Sequence, residues 1–247
     1  FKKSRINNFS DFLISKQKEL FGSQRKAEIA FKKRRKVIVR RRPDNSDSNT
    51  PLLEIEVTHT DAELLNLWMN YKNQDLRPSL ELNGYDEQFF EELELSREMK
   101  RYGMFLYDFY ETMHKESDEI YKKMYFHSMG KVNYYAGKVS RRGDASPQAD
   151  LSPDGNNFSV HTTGFGSQKE RTSNAPIVAM DANKLAFRAI AETSHFIAYA
   201  EIHKEYAKLL GDEAFNKAVK FNNPKYGDKI VKALNFYKTN AKIWTNF

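Results

Sequence analysis

A heptad-spaced row of large apolar residues is the feature of this sequence that most constrains its fold. The row advances mainly in alternating steps of three and four residues, as one face of a long α-helix does when it packs lengthwise on other helices. Its members are Leu95, Met99, Tyr102, Leu106, Phe109, Met113, Ile120 and Met124. We expect one long helix that begins after Asp86 and extends to Gly130, with Gly103 inside it as a candidate kink.

Further helical signals lie on both sides of this row. Thr60 and Glu63 have the spacing of a capping box, and Gly84 follows a short helical pattern as a typical helix stop. Asp181 and Asp212 stand immediately before two more helical patterns, where an aspartate caps the free amides of a helix start. The sequence therefore predicts a mostly α protein, an elongated helical bundle arranged around one long heptad-patterned helix.

Two strand-like runs, 37–42 and 52–57, interrupt the helical patterns near the N-terminus. The residues between them are rich in Pro, Asp, Asn and Ser, which form turns. A small β-hairpin near 37–57 would place charges of opposite sign across the two strands. The charges that we expect to meet are those of Arg40, Arg42, Glu54 and Glu56. A linker without strands is the alternative interpretation.

The organisation of the chain follows from these patterns and from one long interruption. Gly, Ser, Asp, Asn and Thr dominate 131–176, where we expect a long irregular loop of a kind that usually has a function in compact domains. We expect five parts: a basic amphipathic arm (1–43), a linker or hairpin (44–59), a first helical part (60–130), the Gly-rich loop region (131–176) and a second helical part (177–247).

Charge is distributed unevenly along the chain. Residues 1–43 contain fifteen Lys or Arg and three acids, a net charge of +12, so the remainder carries −5 of the total of +7. Eight cations stand within eleven residues: Lys32, Lys33, Arg34, Arg35, Lys36, Arg40, Arg41 and Arg42. Such a run favours salt-dependent contact with the phosphates of nucleic acid or with an acidic partner. The alternatives are a solvated charge run and contact of the arm with the acidic remainder of the same chain.

The sequence contains few of the residue patterns that are typical of enzyme active sites. The chain has no cysteine, which excludes disulfides, thiolate metal sites and thiol nucleophiles. Glu111 with His114, and Glu192 with His195, have the ligand spacing of di-iron carboxylate proteins, but the bridging glutamates that such sites need are incomplete. Polar residues in the stretch 154–169 match neither a phosphate loop nor a catalytic triad. We therefore assign no catalytic residue, no metal site and no cofactor.

No apolar run approaches the roughly 18 residues that span a bilayer, so we expect no integral membrane segment. The sequence opens on Phe1 without a starting methionine and stops within a helical pattern. We expect it to be a segment of a longer polypeptide.

Short motifs stand in a distinctive order from residue 56 onward. They are Arg77-Pro78-Ser79-Leu80-Glu81-Leu82-Asn83-Gly84-Tyr85, Val132-Asn133-Tyr134-Tyr135, Phe165 with Lys169-Glu170-Arg171-Thr172, Asn174-Ala175-Pro176-Ile177, and Tyr226-Gly227-Asp228-Lys229-Ile230. With the helices between them, they resemble the helical region of the large polyvalent proteins of tailed bacteriophages and related mobile elements. The resemblance covers about residues 56–247.

The resemblance implies a non-catalytic segment of an internal virion protein, a cargo that is ejected with the genome. Its expected locations are the capsid interior or tail lumen, and the host cytoplasm during assembly and after ejection. Its implied partners are other virion proteins (portal, tail or further cargo copies) and phage DNA, reached through the basic arm. The alternatives are a helical accessory domain of a virion-borne polymerase or transferase, and a di-iron carboxylate protein.

Overall fold

The computed structural model describes residues 2–42, 51–130, 136, 139–140 and 177–233. Helix accounts for 72% of these residues and a two-stranded antiparallel sheet is present, so the prediction of a mostly α fold with a hairpin is confirmed. The helices are α1 (Lys2–Phe21), α2 (Gln24–Lys32), α3 (Asp61–Lys72), a 3-10 turn (Gln74–Leu76), α4 (Arg77–Glu81), α5 (Glu87–Glu92), α6 (Arg97–Tyr125), α7 (Ala182–Gly211) and α8 (Glu213–Asn222). The strands are β1 (Arg34–Arg41), β2 (Leu53–Thr60), β3 (Val139–Ser140) and β4 (Ile177–Val178). Within these ranges no helix combines the length and the apolar character needed to cross a membrane.

Side-chain caps determine where several helices begin. The Thr60 hydroxyl accepts from the Glu63 amide at 3.2 Å, and the Glu63 carboxylate accepts from the Thr60 amide at 2.8 Å. This is the predicted capping box, and it starts α3 directly at the end of β2. Asp181 and Asp212 cap α7 and α8, as the sequence predicts.

The expected helix from Asp86 to Gly130 is wrong at both ends. Asp86 caps only the short α5, and a separate cap at Ser96 starts α6 after a non-helical segment of four residues. At the other end α6 stops at Tyr125, because Phe126 adopts the left-handed backbone conformation with a φ of 61°. Apolar residues continue through the break before Ser96, which is why periodicity alone does not reveal it.

The heptad row packs inward. Leu95 precedes α6 and is buried, and Ile120 is partly buried. The remaining members are buried along α6: Met99, Tyr102, Leu106, Phe109, Met113 and Met124. Gly103 lies within the same helix, where an added Cβ would come within 2.9 Å of the Leu65 side chain and 3.0 Å of the Trp68 ring. The glycine therefore allows α3 and α6 to approach closely.

The basic N-terminal segment shares the core of the helical body. Leu13 of α1 and Phe31 of α2 belong to the main hydrophobic cluster. A buried polar contact joins α1, α6 and α7: the Tyr102 hydroxyl donates to Asn183 Oδ1 at 2.7 Å and accepts from Gln17 Nε2 at 2.8 Å. Burial raises the pKa of Tyr102 and keeps it protonated as a donor. The N-terminal segment differs from the rest of the chain in its charge, but it packs into the same hydrophobic core.

The predicted loop region is described only at its edges. Val139 and Ser140 of β3 pair antiparallel with Val178 and Ile177 of β4. Apart from Ala136 and β3, residues 131–176 lie outside the described residues, and so do the phosphate-loop and triad candidates at 154–169.

Candidate nucleic-acid interface

The basic run lies mainly on the hairpin formed by β1 and β2. These strands pair antiparallel, with Arg34 opposite Thr60 and Arg41 opposite Leu53. Because side chains alternate across a strand, one face of the hairpin is apolar and packs on the core. That face contains Val37, Val39, Ile55 and Val57. The basic side chains are therefore divided between the outer face and the strand ends.

Arg35 anchors the hairpin to α3. Its Nη2 donates to Asp61 Oδ2 at 3.1 Å, and its Nε lies 2.6 Å from Asp61 Oδ1 as an ion pair outside hydrogen-bond geometry. Its Nη1 also donates to the Glu94 carbonyl. Asp61 is only 4% exposed, so its carboxylate needs this partner. Arg35 therefore has a structural role and offers no free charge to a ligand.

Arg40 is neutralised by carboxylates from three directions. Its guanidinium lies 3.1 Å from Glu54 on β2, as the predicted pairing requires, and also 3.5 Å from Asp86 and 3.7 Å from Glu92. Burial opposes its charge, but these carboxylates outweigh burial and raise the pKa of Arg40. Its amide donates to the Gly84 carbonyl at 3.0 Å, which covers the outer edge of β1.

Lys36 is also paired within the hairpin. Its ammonium lies 2.7 Å from Glu56, and this hydrogen bond raises the pKa of Lys36. Of the four charges expected to meet, Arg40 and Glu54 pair, whereas the register places Ile38 opposite Glu56, the partner of Glu56 is Lys36, and Arg42 follows the end of β1.

Four cations of the basic run remain exposed and make no ion pair with any residue that the structure describes. They are Lys32, Lys33, Arg34 and Arg41. The first three are consecutive at the junction of α2 and β1, and Arg41 stands at the far end of the strand. At about 3.3 Å per residue, Arg34 and Arg41 lie roughly 23 Å apart. The run is thus two separate patches, with Arg42 beside Arg41 at the second.

His59 closes the base of the hairpin. Its Nε2 lies 3.0 Å from the Tyr85 hydroxyl, and its Nδ1 lies 3.6 Å from Glu63. Burial lowers the pKa of His59 and outweighs the opposing effect of Glu63. Burial also raises the pKa of Tyr85 to about 12. The neutral imidazole therefore packs as part of the core rather than adding positive charge to the surface.

The Glu-x-x-His pairs are engaged locally. Glu111 lies 3.4 Å from Lys115, and Glu192 lies 2.8 Å from Arg188. The His195 ring packs against Tyr199, with ring centroids 4.8 Å apart. Across the described parts of the chain, no group of three or more His, Asp or Glu side chains could hold a metal ion.

A second group of cations, not singled out by the sequence, surrounds a groove between α1, α3 and α6. Its basic members come from three distant parts of the chain: Lys16, Lys72, Arg97, Lys100 and Arg101. The sequence contains one hint of this group: Arg97, Lys100 and Arg101 stand near the start of α6, where the helix dipole favours acidic residues in the first turn. Charge density along the sequence does not reveal the group.

No family model, no curated protein and no solved structure matches this chain.

Proposed function

We propose that this chain is a non-catalytic segment of a phage internal virion protein, packaged in the capsid or tail and delivered into the host with the genome. The resemblance over about residues 56–247 supports the setting. The packed helical body, in which the described residues include no group of His, Asp or Glu that could hold a metal ion, supports a role in packing and binding. Its partners in the particle are other virion proteins, such as portal, tail or further cargo copies, and phage DNA.

The observation that carries the contact with DNA is the group Lys32, Lys33 and Arg34. These three consecutive cations are exposed and have no ion pair in the described part of the chain, unlike Arg35 and Lys36 beside them. Their charges are available to phosphates, and contacts of this kind release counterions and are independent of base sequence. The segment therefore binds packaged DNA electrostatically.

The virion setting is tested on purified particles. Phage particles from a culture that expresses the parent gene are separated on a density gradient, and the fractions are analysed by mass spectrometry. We expect peptides of this chain to co-purify with the particles and to survive protease treatment of their exterior. Peptides confined to the soluble fraction of infected cells would contradict the proposal.

The DNA contact is tested by charge removal at matched positions. The triple variant K32Q/K33Q/R34Q is compared with K18Q/K123Q/K229Q, which removes three exposed cations elsewhere. On duplex DNA, we expect the first variant to lower the slope of log K against log salt by about 2.7, from about 0.9 per phosphate contact. The control should keep the wild-type slope, and equal losses in the two variants would refute a local site.

A further inference from the structure

We propose that the groove between α1, α3 and α6 binds single-stranded nucleic acid, with bases against its apolar floor and phosphates on its rim of cations. No hairpin cation lines the groove, and binding in the groove does not depend on them. Its volume is about 750 Å³, within the range of roughly 300–1,000 Å³ that is usual for ligand sites. Besides the five cations, the lining comprises Leu20, Trp68, Leu95, Met104, Phe105 and Asp108.

The charge of the groove is largely unneutralised. It contains five cations and one acid, Asp108. Lys16 is held by Glu19 at 2.6 Å. The other four cations make no ion pair among the residues that the structure describes: Lys72, Arg97, Lys100 and Arg101. An anionic ligand would supply the charges that the protein does not.

Helix stability does not explain where these cations stand. Arg97 is the first residue of α6, where the positive end of the helix dipole opposes cations, and Lys100 and Arg101 follow at its fourth and fifth positions. Glu98 is the only acid in the first turn, and hydrogen bonds from its own backbone amide and from Ser96 lower its pKa. Arg97 at this unfavourable position, together with Lys100 and Arg101 beside the same groove, indicates a binding role.

The floor of the groove offers aromatic surface. The Trp68 ring lies there partly exposed, with the Lys72 ammonium group 5.1 Å from its centre. Phe105 lies beside it, stacked on Tyr102 and Phe109, with the Lys16 ammonium group 5.9 Å from its centre. Met104 beside them is 49% exposed. Gly103 keeps Trp68 close to α6, since an added Cβ would lie 3.0 Å from its ring.

Aromatic side chains interleaved with cations are the combination by which proteins bind single strands: bases stack and phosphates pair. The bases of a duplex are already stacked inside it and cannot reach a concave floor. An acidic peptide would use the cations but would make no use of the partly exposed Trp68 ring. The observations therefore favour a single strand over either alternative.

The test uses the intrinsic fluorescence of Trp68. The chain contains two tryptophans, so Trp244→Phe in the full 247-residue chain makes Trp68 the only one. Titration with a short oligothymidylate should quench its emission, and an abasic strand of equal length should not. At about 0.1 M salt, R97Q/R101Q should weaken binding tenfold or more, because each phosphate contact contributes about 0.7 to the salt slope on single strands.

A matched control removes two exposed cations outside the groove, Lys18 and Lys123. K18Q/K123Q should bind the oligonucleotide as the wild type does. Circular dichroism should show that R97Q/R101Q melts no lower than the wild type, so that lost binding reports the groove and not unfolding.

Three results would overturn the proposal: no quenching, equal weakening in the two double variants, or displacement of the oligonucleotide by polyglutamate as effectively as by unlabelled strand. The last result would identify an acidic peptide as the occupant. Duplex binding through Lys32, Lys33 and Arg34 is measured separately, so either surface can fail without the other.

Discussion

The hairpin strands and the groove each contain five cations, but they differ in how many of these cations form ion pairs within the fold. On the hairpin strands, acids within the fold hold Arg35, Lys36 and Arg40. Around the groove, only Lys16 has such a partner among the described residues. Three of the five cations on the hairpin strands are therefore neutralised by acids of the fold. Four of the five groove cations, on α3 and α6, remain available for binding.

A charge therefore becomes a binding group only when the fold leaves it unpaired. Arg35 and Arg34 are neighbours in sequence, yet the first is bound to the buried Asp61 and the second is exposed. Substitutions at paired positions should therefore change stability, and substitutions at unpaired positions should change binding.

The largest effect on stability is expected from R35A. The change leaves the buried Asp61 carboxylate without its partner, and breaking a fully buried pair costs about 3–5 kcal/mol. Because Arg35 is itself partly exposed, we expect a loss of about 2–3 kcal/mol in the free energy of unfolding, measured by urea denaturation. R34A is the matched control and should stay within about 0.5 kcal/mol. Equal losses in R35A and R34A would remove the distinction between the two positions.

G103A tests the floor of the groove. The new methyl would press on the Leu65 and Trp68 side chains, and overpacking of this kind costs about 1–3 kcal/mol, offset by the gain of about 1 kcal/mol in helix propensity. We expect a net loss of about 0–2 kcal/mol together with a shift in Trp68 emission in the Trp244→Phe background. K123A, at an exposed position of the same helix, should change neither quantity. An unchanged emission spectrum in G103A would show that the glycine does not hold the ring.

A smaller effect is expected from pH at the base of the hairpin. Burial lowers the pKa of His59 in the fold, so in the unfolded chain the imidazole takes up its proton at a higher pH, near 6.5. Stability should be complete above that value and fall as the pH decreases from about 6.5 towards the folded pKa. Denaturation midpoints between neutral and mildly acidic pH measure this loss. H59Q should flatten the profile in this range, and a profile unchanged by H59Q would assign the pH dependence elsewhere.

The smallest change is expected from K36Q. The Lys36 ammonium lies 2.7 Å from the Glu56 carboxylate, and both side chains are exposed. Water screens such surface pairs, so they contribute little to the free energy of unfolding. The denaturation midpoint should therefore match the wild type. A clear loss of stability in K36Q would show that the exposed Lys36–Glu56 pair stabilises the fold, contrary to this expectation.

Local signals in the sequence predicted much of the fold. The capping box of Thr60 and Glu63, the pairing of Arg40 with Glu54 and the cap at Asp181 each depend on chemistry within a few residues or across one turn. The break before α6 is not visible in the sequence pattern, because Leu93 and Leu95 lie within it and continue the apolar pattern up to the Ser96 cap.

The binding surfaces were less predictable, for a physical reason. Whether a cation is neutralised depends on acids brought to it by tertiary packing, such as Asp86 and Glu92 around Arg40. The groove likewise assembles Lys16, Lys72 and Arg97 from three helices far apart in the chain. Periodicity and composition carry no information about such distances.

The distinction between paired and unpaired cations is tested most directly by the salt dependence of oligothymidylate binding in two double variants. R97Q/R101Q removes unpaired cations of the groove, and K36Q/R40Q removes the same formal charge from paired positions of the hairpin. We predict that the slope of log K against log salt decreases by about 1.4 in R97Q/R101Q and keeps its wild-type value in K36Q/R40Q. An equal decrease in both variants, or a decrease in K36Q/R40Q alone, would contradict the claim that only unpaired cations bind.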